Sequence, residues 1–249
     1  MDIYCRDALK GLAWLALAGC AAMPAAAQDT APAAPLAAPV CVDAPAPTQY
    51  VMPTTGVTFS LLADPGCIPS PPPPMRPPAP NLFHMAAVPV GTNPSLAKWE
   101  HARIGGSLAE QAGPWSELLG EANRVARGNP FVMVNSWVNW HVRYREEAGD
   151  NWADALTTLR RGYGDCEDFV LAKVALLSAL GVSSDDMFLV LLRDARGADH
   201  AVLAVRRAGG FYILDNRTDK LLSAELVTDY TPVLSFSGEF AWMYGKRAG

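Results

Sequence analysis

The chain has 249 residues, half of them apolar, and its 20 Lys and Arg against 25 Asp and Glu leave a net charge of -5 with no basic cluster. That balance excludes the phosphate-tracking surface that nucleic-acid binding requires, and the length suits one ordinary globular domain. Asp2 and Asp7 offset Arg6 and Lys10, so loss of the N-terminal segment would not change the charge.

Residues 1–27 read as a secretory signal. Arg6 and Lys10 precede the apolar run Gly11 to Gly19, which is too short to span a bilayer and is followed by small residues. Two processing sites are written there: Leu17-Ala18-Gly19-Cys20 has the form of a bacterial lipobox, and Ala25-Ala26-Ala27 before Gln28 that of an ordinary signal-peptidase site. Both stay open. Either predicts an exported, periplasmic protein, and the first adds a lipid anchor at Cys20 as its one attachment to a membrane. Of the five cysteines, Cys5 and Cys20 fall in this leader. In an oxidising compartment Cys41 and Cys67 are expected to pair, closing a loop worth roughly 3.5 kcal/mol, and Cys166 is left as an odd, free thiol.

Residues 28–88 are dominated by Ala, Pro, Thr and Ser and include Pro71-Pro72-Pro73-Pro74. Such a polyproline II tract builds no core and reads as an arm and linker. The domain is expected over residues 89–249. Its patterning predicts a helix from Leu108 to Arg127, a second after Asn129-Pro130 with Val134, Val138 and Val142 at four-residue spacing, and a short segment at Leu156 to Leu159. A further helix runs from Cys166 to about Leu180, with Gly181 as its stop. Strand-length apolar runs follow at Met187–Leu192, His200–Arg206, Phe211–Asp215 and Tyr230–Phe236. Helices first and an antiparallel sheet afterwards define an α+β domain.

The chemistry concentrates at Gly162-Tyr163-Gly164-Asp165-Cys166-Glu167-Asp168, where a glycine-rich turn enters an apolar helix. A sulfur in the first turn feels the unpaired backbone N–H groups there, which favour thiolate. A cysteine nucleophile needs a base, and the base a third group to orient it. His200 opens one strand and Asp215 closes the next. A hairpin with a four-residue loop from Arg206 to Gly209 sets them face to face at about 5 Å, close enough for Nδ1–H to reach the carboxylate. A tight turn on Gly209-Gly210 instead puts Asp215 opposite Ala204, about 13 Å along the strand from His200. Of the other histidines, His84 lies in an unpatterned region, His101 in an expected loop, and His141 on a helix where packing roles are usual.

Taken together, Val134-Asn135-Ser136-Trp137-Val138-Asn139, Trp152, the Gly-Asp-Cys-Glu-Asp run, His200-Ala201-Val202-Leu203 and Leu214-Asp215-Asn216 resemble the bacterial transglutaminase-like cysteine proteinases. The resemblance implies a papain/transglutaminase-like fold, a helical N-terminal lobe packed on an antiparallel β-sheet, with Cys166 as nucleophile, His200 as base and Asp215 as orienting carboxylate. It also implies a periplasmic endopeptidase acting on a protein substrate such as a biofilm surface adhesin, an inner-membrane regulatory receptor as partner, and calcium held at Asp165 and Glu167. Hard carboxylate oxygens suit that ion. The same residues have a structural reading, with Asp165 as N-cap, Asp168 closing a capping box and Glu167 favouring the helix dipole. Acyl transfer by a transglutaminase or cell-wall amidase, or a non-catalytic envelope module of the same fold, also stays open.

Overall fold

The structure, a computed structural model, describes residues 48–51, 58–61, 75–91, 93–104, 107–124, 129–147, 149, 151–208 and 210–245. The expected leader, the lipobox at Cys20 and the Cys41–Cys67 pairing lie outside them. Strands β1 (Thr48–Val51) and β2 (Thr58–Leu61) form a two-stranded antiparallel ribbon with Thr48 opposite Leu61. The other elements belong to a separate unit from Arg76 onward.

In that unit the elements run β3 (Ala86–Val90), α1 (Pro94–Arg103), α2 (Ser116–Arg124), α3 (Pro130–His141), β4 (Arg143–Tyr144), α4 (Ala155–Arg161), β5 (Tyr163–Gly164), α5 (Cys166–Ala179), β6 (Met187–Arg193), β7 (Asp199–Arg207), β8 (Gly210–Asp215), β9 (Thr218–Ser223), β10 (Thr231–Ser237) and β11 (Phe240–Gly245). The seven-stranded sheet is ordered β3-β11-β10-β6-β7-β8-β9, every neighbour antiparallel. Alternation along the strands sorts the apolar side chains onto two faces. Leu189, Leu191, Ala201, Leu203 and Val205 pack against the helices, while Phe188, Val190, Leu192, Val202 and Ala204 form a second cluster with Leu82, Phe83 and Trp242. Helix α5 is buried continuously from Cys166 to Lys173 and lies against β6 and β7, with α3 and α4 beside it.

Several expectations need correction. The helix predicted over 108–127 is split into a 3-10 turn at Leu108–Glu110 and α2, because Pro114 has no N–H to continue a ladder and Ser116 Oγ accepts from the N–H of Gly113 instead. His101 lies in the last turn of α1, not in a loop; the start signal was Asn93-Pro94, whose Asn93 side chain caps the N–H of Leu96. The domain also begins before residue 89, since Leu82 and Phe83 are buried in the second cluster and β3 pairs with β11.

The entry into α5 is the part of the fold that positions the site. Helix α4 ends on Gly162 at φ +70, and β5 then pairs in parallel with β4, Tyr144 beside Gly164. Tyr163 is flanked by the guanidinium groups of Arg145 and Arg161 at 4.7 and 4.8 Å from its ring centre. Asp165 caps the N–H of Asp168 and the Asp168 side chain caps that of Asp165, so the capping box forms. Asp168 folds back over Gly164 so closely that a Cβ there would lie 2.5 Å from its Oδ2. Gly164→Ala is therefore expected to cost roughly 1–3 kcal/mol, read as a lower denaturant midpoint at unchanged m-value.

Candidate active site

Cys166 is the first residue of α5, and its Sγ lies 3.0 Å from Glu167 Oε2, the distance of an S–H donor when the sulfur is reduced. The sulfur is buried, because the helix that carries it is packed on all sides and lies in the helix–sheet core. The expectation of a free thiol is not met: Cys166 is disulfide-bonded, and every other cysteine lies outside the described residues. A sulfur stabilised as thiolate by a helix N-terminus is the species that enters disulfide exchange.

His200 and Asp215 meet directly, Nε2 to Oδ1 at 3.0 Å, both side chains buried. The route differs from the predicted four-residue loop. Gly210 pairs with Arg207 instead of Val205, and Leu203 lies opposite Leu214. That register sets Asp215 across from Val202, two residues from His200 on the same strand face. The imidazole spans the diagonal, and a register shift between Ile213 and Asp215 where β8 meets β9 re-aims the carboxylate. The nitrogen is also the other one: Nε2 faces the carboxylate, and Nδ1 is buried with no hydrogen-bond partner among the described residues.

Asp215 is held by more than the histidine. Its Oδ1 also accepts from the N–H of Arg217 at 2.9 Å and its Oδ2 from the Tyr230 hydroxyl at 2.6 Å. Burial alone would push this carboxyl up, but the His200 ring, the Tyr230 hydroxyl and the Arg217 N–H outweigh it and hold Asp215 well below the usual carboxylate range. Arg217 sits in the turn between β8 and β9, and Tyr230 just ahead of β10 at the head of a run expected as strand; sequence reasoning gave neither a role at the site. No hydrogen bond joins Cys166 to His200. The two halves of the site do border a common group, since the Tyr144 hydroxyl, pushed above its usual range by burial, feels Glu146, Asp165 and Glu167 and is pulled back by Arg217.

Acidic side chains crowd the sulfur. Asp165 hydrogen-bonds the Glu167 side chain, and donor atoms of Glu147, Asp165 and Asp168 all lie within 4.8 Å of one another. The Arg161 guanidinium pairs with Glu147 at 2.8 Å and with Asp168. Asp168 Oδ1 also accepts from the N–H of Ala153 at 2.9 Å. Burial, aided by Glu147, pushes Asp165 up to about 6, and burial with the Asp165 charge pushes Asp168 up to about 7 against Arg161 and the Ala153 N–H. Of the two residues expected at a cation site, Asp165 belongs to this cluster, while Glu167 lies between it and the sulfur. Glu147 and Asp168 were not foreseen as its members. His141 stacks on Trp137 with ring centres 3.9 Å apart, and the exposed His84 pairs with the carbonyl of Glu225.

A family model described as bacterial transglutaminase-like cysteine proteinase BTLCP matches residues 122–243. No curated protein sequence matches the chain. Among solved structures, LapG of Legionella pneumophila is 26% identical, with 58% of this chain and 84% of that chain covered at a TM-score of 0.47. A calcium-bound structure of the same protein is 26% identical, covering 61% and 88% at a TM-score of 0.48.

Carboxyls raised by the fold hold their protons more tightly folded than unfolded. Their contribution to stability is complete below the unfolded value near 4 and is lost as pH rises to about 7. Glu147→Gln removes one of the charges that raises both. In chelator, the loss of stability between pH 4.5 and 7.5 is expected to be smaller in this variant than in the parent by roughly 1 kcal/mol, measured by urea unfolding at each pH.

Proposed function

Because the chain belongs to the bacterial transglutaminase-like cysteine proteinases and is a cysteine peptidase, we propose that Cys166, His200 and Asp215 are its catalytic triad. The observation that carries this reading is the buried His200–Asp215 pair, which engages Nε2 and leaves Nδ1 as the nitrogen available to a sulfur. Nδ1 takes the thiol proton of Cys166, and the thiolate attacks the carbonyl carbon of a peptide bond. The resulting oxyanion is met by the backbone N–H of Cys166, one of the donors that a helix N-terminus leaves unpaired. The imidazolium gives its proton to the leaving amine, and a thioester forms. Water, losing a proton to the same nitrogen, then cleaves the thioester and restores the thiol. Asp215 stays ionised throughout and stabilises the imidazolium. The competent enzyme is the reduced one, with the sulfur uncovered.

The leader pattern supports an exported, periplasmic enzyme, and its substrate is read as a protein of the cell envelope such as a surface adhesin. Calcium is assigned to Asp165 and Glu167. These carboxyl groups are close enough to share a hydrogen bond, while Arg161 already pairs with Glu147 and Asp168. Buried, crowded carboxyl oxygens are the donor set that suits a hard divalent cation. When bound, the ion neutralises that charge and stiffens the turn before Cys166.

Cys166→Ala is expected to lower hydrolysis about a thousandfold or more, with the far-UV spectrum and unfolding transition retained. The assay incubates reduced protein with an envelope fraction and identifies new N-termini by mass spectrometry. Cleavage unchanged in this variant overturns the nucleophile. Chelation is expected to reduce cleavage and lower the thermal midpoint by a few degrees, both restored by calcium. The double variant Asp165→Ala, Glu167→Ala should no longer respond to the ion, and a full response there removes the assignment.

A further inference from the structure

The sheet face opposite the helices carries a continuous row of aromatic side chains. Phe240, Trp242, Phe188 and Phe211 follow one another with ring centres 6.3, 5.6 and 5.7 Å apart, and Tyr244 continues the alternation along β11 in the same cluster. The segment Arg76-Pro77-Pro78-Ala79-Pro80 meets this row. Pro77 and Pro80 are buried, while Arg76, Pro78 and Ala79 are exposed. Burial with a period of three is what a polyproline II strand shows when one edge lies on a surface, since residues three apart share a side and stand about 9 Å from each other. Arg76, Pro77 and Ala79 each precede a proline, which biases them toward extended backbone before any contact is made.

Side chains of the domain hold the segment along its length. The Arg76 guanidinium lies 5.3 Å from the centre of the Phe240 ring. The Arg206 guanidinium rests 5.2 and 5.3 Å from the ring centres of Phe188 and Phe211 and donates to the carbonyl of Pro78. The Tyr244 hydroxyl donates to the carbonyl of Pro80 at 2.9 Å. A proline-rich strand has no internal hydrogen bonds and few N–H groups, so its rings and its carbonyls are what a protein can grip. Aromatic rings for the first and side-chain donors for the second are the means by which Pro-x-x-Pro segments are recognised, and this face supplies both.

We propose that this face of the sheet is a recognition site for a polyproline II segment of the form Arg-Pro-x-x-Pro, and that residues 76–80 are its ligand, bound in cis from the chain's own proline-rich arm. The inference stands apart from the triad reading, which uses none of these side chains. The rings at 77 and 80 and the charge at 76 carry the recognition, and the side chains at 78 and 79 point to solvent. A tethered ligand is present at an effective concentration of roughly millimolar, so a site of modest intrinsic affinity stays filled. The arm is thereby pinned to the side of the sheet opposite the helix that bears Cys166.

The test separates the ligand from its tether. In the full chain, Pro77→Ser with Pro80→Ser removes both buried rings from the cis segment and leaves the aromatic row intact. The probe is a fluorescein-labelled peptide, Met-Arg-Pro-Pro-Ala-Pro-Asn, with the sequence of residues 75–81, titrated by fluorescence anisotropy. The double variant is expected to bind it at least tenfold more tightly than wild type, whose site is already filled. Adding Arg206→Ala to the double variant is expected to weaken binding about tenfold, and a peptide with serine at both buried positions is expected not to bind. Equal binding by wild type and double variant overturns the proposal, as does equal binding of the serine peptide or no effect of Arg206→Ala. Loss of the folded near-ultraviolet spectrum in the double variant also overturns it, by making the segment a structural part of the core. A wild-type dimer that the peptide dissociates would assign the segment to a second copy and overturn the binding in cis.

Discussion

A carboxylate sealed inside a protein has to be matched by donors on its lone pairs, and the environment of Asp215 is organised around that demand. A ring nitrogen, a hydroxyl and a backbone N–H converge on it. Each is anchored in turn. Arg217, whose N–H reaches Oδ1, extends its guanidinium to Asp194 at 3.1 Å, and Asp194 is held by the N–H groups of Arg196 and Ala198 in the turn between β6 and β7. Tyr230 packs against Phe83 ahead of β3. The turn after β8 and the turn before β7 thus brace the same carboxylate, and removal of any one donor leaves part of a buried charge unmatched.

The loop that presents Cys166 is built on a second buried carboxyl, Asp168. It closes the capping box, accepts from Ala153 and pairs with Arg161. Gly164 is required because Asp168 occupies the space its side chain would fill. One aspartate therefore ties together the end of α4, the strand before the cysteine and the first turn of α5. Its cost is the concentration of negative charge beside the sulfur, which Arg161 offsets on the side of Glu147. A sulfur flanked by Glu167 and sealed by packed side chains is a resting arrangement, and attack on a carbonyl requires it reduced and exposed.

Much of this was legible from residue order. The capping residues and apolar run around Cys166 announced α5, Asn129-Pro130 announced α3, and the strand runs opened by His200 and closed by Asp215 brought those residues within reach. Local pattern did not reveal the hairpin register. A two-residue turn and a four-residue loop satisfy the same alternation, and the choice between them moves Asp215 by whole residues. The contact survived because an imidazole reaches diagonally across strands. Strand β9, with Thr218, Asp219 and Lys220 at its start, is too polar to stand out, and its partner α3 secures it through asparagine side chains. Lys173 reads as a surface residue until the helix around it is seen to be buried on every side. The burial and oxidation of Cys166 depend on parts of the chain distant from it, which no local signal reports.

The central claim is that sulfur and imidazole exchange a proton while the Asp215 carboxylate orients the ring. A crystal structure of the reduced protein tests it most directly, through the separation of Cys166 Sγ and His200 Nδ1. The account predicts about 3.5–4 Å between them, within reach of a sulfur hydrogen bond, with Nε2 still on Asp215. An imidazole whose Nδ1 is directed away from the sulfur, toward a protein partner on the far face of the sheet, would contradict it.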